Sequence, residues 1–142
     1  MRALLDVNVL IALLDDQHLH HAIAKRWFVE HLELGWATCP LSQNGCARIL
    51  SQPAYSNAIS TVRALEKIAH ACKQAEHEFW PDSISLVDPK IARVEQIHGP
   101  RQLTDIYLLA LAVNRRGRLV TLDERIPLSA VQGAKPEHLV VI

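Results

Sequence analysis

Leu103-Thr104-Asp105-Ile106-Tyr107-Leu108-Leu109-Ala110-Leu111-Ala112-Val113-Asn114-Arg115-Arg116-Gly117-Arg118-Leu119-Val120-Thr121-Leu122-Asp123 runs a helical period straight into a strand pattern. Leu103, Ile106, Leu109, Ala110 and Val113 recur at helical spacing, and Gly117 marks the stop. Arg118-Leu119-Val120-Thr121-Leu122 then reads as a strand ending at Asp123. Such a helix and strand run in opposite directions, so the helix start lies beside the strand end. The lengths agree: about 17 Å of helix from Asp105 to Arg116, and about 17 Å of strand from Arg118 to Asp123. The spacing therefore sets the Asp105 and Asp123 carboxylates side by side.

The alternation continues outward in both directions. Ala3-Leu4-Leu5 is a short apolar run into Asp6, compatible with a buried strand or a first helical turn; we read a strand, a turn at Val7-Asn8, and a helix with Asn8 as its N-cap. Ile23, Trp27, Phe28, Leu32 and Leu34 mark a helix from His18, stopped by Gly35. Trp36–Cys39 reads as a strand, and Ser42 opens a helix to about Leu50, ended by Ser51-Gln52-Pro53. Ala58, Val62, Leu65, Ile68, Ala69, Cys72 and Ala75 trace a helix of some five turns. Ser85–Val87 reads as a strand, Pro89 as the first residue of a helix, His98–Arg101 as a loop, and Leu139–Ile142 as a last strand. Alternating strands and helices predict an α/β fold, a parallel sheet with helices on both faces.

Composition narrows the class. Hydrophobic residues make up 49% of the 142 and charged residues 21%, enough for one domain with a proper core. The 15 basic and 15 acidic residues cancel, which argues against a protein that grips nucleic acid with its whole surface, though not against a nucleic-acid enzyme with a local basic patch. Cys39, Cys46 and Cys72 are odd in number and form no C-x-x-C, so neither a disulfide framework nor a zinc ribbon fits; a reducing cytoplasm is expected. No apolar run is long enough for a signal-peptide core or a membrane span.

In an open parallel sheet, ligands bind outside the carboxyl ends of the strands. Asp6 and Asp123 each follow a strand, so a shared sheet would put both on one edge, with Asp105 beside them. Grouped carboxylates stay ionised at neutral pH only if a cation is shared. Oxygen-only ligation suits Mg²⁺ or Mn²⁺, and such an ion activates water against a phosphodiester. Taken singly, each aspartate is equally at home as a turn residue, helix cap or first-turn charge.

Four segments resemble the motifs of PIN-domain ribonucleases, above all the VapC-type toxins of bacterial toxin–antitoxin pairs. They are Leu4-Leu5-Asp6-Val7-Asn8-Val9-Leu10-Ile11; Cys39-Pro40-Leu41-Ser42-Gln43-Asn44-Gly45 with Arg48 and Ser51-Gln52-Pro53; Leu103–Ala112; and Leu119-Val120-Thr121-Leu122-Asp123. The resemblance spans the chain. It implies one PIN-like nuclease domain over residues 1–142, a three-layer α/β/α sandwich around a five-stranded parallel sheet. It further implies Mg²⁺- or Mn²⁺-dependent RNA cleavage, a homodimer, and neutralisation by a small VapB-like antitoxin. Asp6 and Asp105 match the principal metal ligands, Asp123 a further acidic residue, and Asn8 and Thr121 supporting polar positions. Gln43 stands where many members carry glutamate. It keeps a carbonyl oxygen and loses a charge, which favours a single metal.

Two other functions remain open at this point. A haloacid-dehalogenase-like phosphatase also begins with a strand and an aspartate, but needs an acid/base where this chain has Asn8. A non-catalytic PIN-like binding module would accommodate Gln43. Other features weigh less. His18, His20 and His21 read as a solvated helix start more readily than as a zinc site. Arg115-Arg116-Gly117-Arg118 reads as a helix C-terminal charge cluster. Arg48 suits a phosphate, an antitoxin carboxylate or a surface ion pair. Trp27, Phe28, Trp36 and Trp80 read as core or interface. The Ile59–Ala75 face serves core packing, a dimer or an antitoxin equally well.

Overall fold

The computed structural model describes residues 1–142. Five parallel strands make one sheet: β1 (Ala3–Leu5), β2 (Trp36–Thr38), β3 (His77–Phe79), β4 (Arg118–Thr121) and β5 (Leu139–Val141), in the order β3-β2-β1-β4-β5. Helices α1 (Val7–Leu14), α2 (His21–His31), α3 (Pro40–Leu50) and α4 (Thr61–Ala71) gather on one side, and α5 (Leu103–Asn114) covers the other. The strands have side chains at alternating faces. Ala3, Leu5, Trp36 and Val120 thus join the core under α1, α3 and α4, while Leu4, Ala37 and Leu119 join the core under α5. The expected α/β/α sandwich with a five-stranded parallel sheet is the fold observed.

α5 and β4 follow the expected register, and the turn between them is tight. Arg116 takes a left-handed conformation with φ 57°. Gly117 follows because space demands it: a Cβ there would stand 2.6 Å from Trp80 Cη2 and 2.7 Å from the Arg2 carbonyl oxygen.

Several local expectations are corrected. The helix after β1 begins at Val7, and its N-cap is Asp6, not Asn8: Asp6 Oδ1 accepts from the Val9 N–H at 2.8 Å. α3 begins at Pro40, not Ser42, because Cys39 caps it: its Sγ accepts from the Ser42 N–H while Ser42 Oγ accepts from the Cys39 N–H at 3.0 Å. α4 has 11 residues, short of five turns, and stops at Ala71. The third strand is His77-Glu78-Phe79, on the sheet edge, where polar and exposed side chains are tolerated. Ser85–Val87 forms no strand, and Pro89 starts no helix. Ile84, Leu86, Ile91 and Ile97 of that segment pack singly against the α5 core, and Ala92 makes an antiparallel bridge to Val131.

Candidate active site

Strand β1 lies at the centre of the sheet, so its end delivers Asp6 to the middle of the carboxyl edge. Leu5 is in register with Val120, which sets Asp6 beside Thr121 on β4. The Thr121 hydroxyl donates to Asp6 Oδ2 and accepts from the Asp123 N–H at 3.0 Å. One threonine thus fixes the carboxylate of the first motif and the backbone of its own. Asp6 is 2% exposed. Burial pushes its pKa up to about 6, against the lowering hydrogen bonds from Thr121 and Val9; the Asp105 charge adds to the rise.

Asp105 sits in the first turn of α5. Its pKa is also raised, first by burial and then by the Asp123 charge, with Arg125 opposing. Asp6 and Asp105 share a cleft of about 360 Å³, walled on the α3 side by Asn44, Gly45 and Arg48 and closed by Asn8 and Thr104. Asp105 also lines a smaller hollow of about 150 Å³ with Asp123, Arg101 and Arg125. A third hollow, of about 470 Å³, joins Asn8, Asp123 and Arg125 to His18 and His20.

The three aspartates therefore meet in pairs, with Asp105 common to both. They do not close on one point, and no group of three His, Cys, Asp or Glu side chains is placed to hold a metal ion. Asp123 is paired with Arg125, whose Nε and Nη2 donate to its two oxygens at 3.0 and 3.2 Å. Those bonds hold its carboxyl below the usual carboxylate range. Asp6 and Asp105 are the pair with the chemistry for a cation. Both are oxygen donors, both pay for ionisation, and a shared divalent ion would relieve both.

Of the supporting residues, Asn8 and Thr121 lie at the site and Arg48 lines the cleft. Gln43 does not. Its amide donates to Thr38 Oγ1 at 2.8 Å and approaches Cys72 Sγ at 3.8 Å. Thr38 Oγ1 in turn stands 2.8 Å from His77 Nε2, so Gln43 belongs to a polar cluster that joins the last residue of β2 to the first of β3. Asn44 is the amide that α3 brings to the cleft, and sequence reasoning missed it. The signal was the helical period counted from Arg48: four residues back is Asn44, whereas Gln43 falls on another face. The basic run lies at the opposite sheet edge, where the Arg118 guanidinium rests 5.3 Å from the Trp27 ring centre.

This edge defines a class. Residues 3–132 match the PIN domain family, and the chain belongs to that family. Within it, the similar proteins are VapC ribonucleases. The chain is 48% identical over 142 residues to Ribonuclease VapC44 of Mycobacterium tuberculosis, with 100% of each chain covered. It is 42% identical over 142 residues to Ribonuclease VapC38 of the same organism, covering 99% of each, and 41% identical over 134 residues to Ribonuclease VapC39, covering 94% of this chain and 96% of that one. Among solved structures, M. tuberculosis VapC20, a Sarcin-Ricin loop cleaving toxin, shares the fold with a TM-score of 0.62 at 13% identity, covering 87% of this chain and 92% of its own. VapBC2 from Rickettsia felis, bound to a DNA fragment from its promoter, gives 0.63 at 14% identity, covering 100% and 98%.

Proposed function

We propose that this chain is a metal-dependent endoribonuclease, the toxin of a toxin–antitoxin pair, working as a single domain in the cytoplasm. The carrying observation is a buried Asp6 beside Asp105 at the carboxyl edge of the sheet, in a chain nearly half identical to a ribonuclease along its whole length. Asp6 and Asp105 hold Mg²⁺ or Mn²⁺. Asp123 lies further out, paired with Arg125. When bound, the ion supplies positive charge against the charge developing on a cleaved phosphodiester and orients a water.

The chain's own residues do the rest. Thr121 holds Asp6 in one orientation. Arg48, Arg101 and Arg125, from three different elements, line the hollows around the carboxylates and give a neutral protein a local basic rim for RNA. Arg48 is the contact for a phosphate or for a carboxylate of a VapB-like antitoxin. Val62 and Leu65 are exposed on α4, which supports a protein contact there, with the antitoxin or a second copy. No helix is long and apolar enough to cross a membrane. Phosphatase chemistry through an aspartyl-phosphate finds no support: it needs an acid/base two residues after Asp6, and the amide of Asn8 cannot transfer a proton.

The purified chain is expected to cut RNA in Mg²⁺ or Mn²⁺, and Asp6→Ala to abolish cutting. Undiminished cleavage by Asp6→Ala overturns the reading.

A further inference from the structure

Beside the reaction cleft, the loop between α1 and α2 brings two histidines to the third hollow. Its walls are His18 and His20 on one side and Leu122, Asp123, Glu124 and Arg125 on the other. It is a broad, open hollow of about 470 Å³, with room for one planar ring laid against its walls. Through Asn8 it adjoins the Asp6–Asp105 cleft, and through Asp123 and Arg125 the neighbouring hollow.

The chemistry of this hollow does not suit an anion. Asp123 and Glu124 repel phosphate, and the single Arg125 guanidinium, 3.0 Å from Asp123, leaves one of the two negative charges unbalanced. His18 is not a spare cation either. Its Nδ1 accepts from the His20 N–H at 3.0 Å, so in the neutral ring the proton sits on Nε2. Burial, and then the neighbouring His20, lower its pKa from the ordinary 6.5, leaving it neutral at neutral pH. What remains is two tilted imidazoles with centroids 5.7 Å apart, one fixed N–H donor, the Glu124 carboxylate as acceptor and an apolar Leu122 wall. Flat rings to stack on, one donor and an acceptor for an amino group are the complement of a nucleobase.

We propose that this hollow holds the base next to the scissile phosphate, with His18 and His20 against the ring and Glu124 accepting from its exocyclic amino group. The inference rests on the ribonuclease reading and makes these residues determinants of specificity. It requires a base with an amino group: adenine, guanine or cytosine over uracil.

The test is cleavage of a random-sequence RNA pool in Mn²⁺, with the cut ends sequenced. The unsubstituted chain should disfavour uracil roughly tenfold at one position beside the cut. The double variant His18→Ala/His20→Ala should lose that preference, keep any preference elsewhere, and still cut. Because His18→Ala also releases the His20 N–H, His20→Gln provides a milder variant that leaves the His18 contact intact, and it should weaken the same position. Glu124→Gln should weaken the discrimination against uracil. A sequence profile that is identical in the variants, or no preference beside the cut in the parent, overturns this inference alone. A parent that cuts no RNA overturns the ribonuclease reading and this inference with it.

Discussion

Asp6 carries the chemical tension of the site. A carboxylate at 2% exposure, with a pKa near 6, is ionised at neutral pH at a cost to the fold. Its pKa is raised above the ordinary 3.8, so the contribution to stability is fully present below about 3.8 and is lost as pH rises through about 6. Without metal, Asp6→Asn should therefore stabilise the protein at pH 7.5 by at most about 3 kcal/mol, at 1.36 kcal/mol per pH unit, with the gain fading toward pH 4; urea melts at the two pH values measure it. Thr121→Val removes the hydroxyl that donates to Asp6 and should raise the Asp6 pKa further. Cleavage should then fall roughly tenfold at pH 6 and recover toward pH 8, which a pH–rate profile records. The sequence exposed Asp6 as a charge at the end of an apolar run. It did not expose the Thr121 hydroxyl bond, since residues 115 positions apart meet only through strand register.

At the scale of elements, the site depends on how closely α1 and α3 approach. Gly45 sits within α3, and a Cβ there would stand 2.8 Å from Val7 Cγ2, on the residue after Asp6. Gly45→Ala should gain helix propensity and still lose about 1–2 kcal/mol through overpacking. Cleavage should fall more than stability does, because the displaced Val7 carries Asp6 with it; parallel melts and rate assays separate the two. The far end of α1 is tied differently. Asp15 is buried and accepts from the Tyr55 hydroxyl, the Asn57 amide at 3.1 Å and the Gln17 N–H at 3.0 Å. Burial alone would raise its pKa, but those donors bring it below the ordinary value. Its stabilisation is thus present above about 3.8 and lost as pH falls further, the opposite sign to Asp6. Asp15→Ala should cost about 2–3 kcal/mol by stranding the donors, with cleavage intact below the melting temperature. Helix periodicity made α5 legible, together with its return into β4. Periodicity failed from Pro81 to Gly99, where apolar residues pack one at a time, and at β3, where an edge strand needs no apolar alternation.

Across the whole molecule, the strand order β3-β2-β1-β4-β5 puts β1 in the centre and brings the first and last thirds of the chain to one edge. That long-range arrangement is why local geometry alone pairs Asp105 with Asp123, while setting Asp6 beside them needs a parallel, adjacent β1, which the family resemblance implies. It also explains why Asn44 escaped notice: its partners in the cleft come from β1–α1 and α5, distant in sequence. The net charge of zero conceals a separation, with acidic residues inside the cleft and Arg48, Arg101 and Arg125 around it. Asp6 and Asp105 together are expected to make a divalent-cation site. Calorimetric titration of Mn²⁺ at pH 7.5 into the parent chain, Asp6→Asn and Asp105→Asn measures it. Saturable binding by the parent that is lost in both variants is the predicted result; equal binding by all three, or none by the parent at millimolar metal, contradicts it.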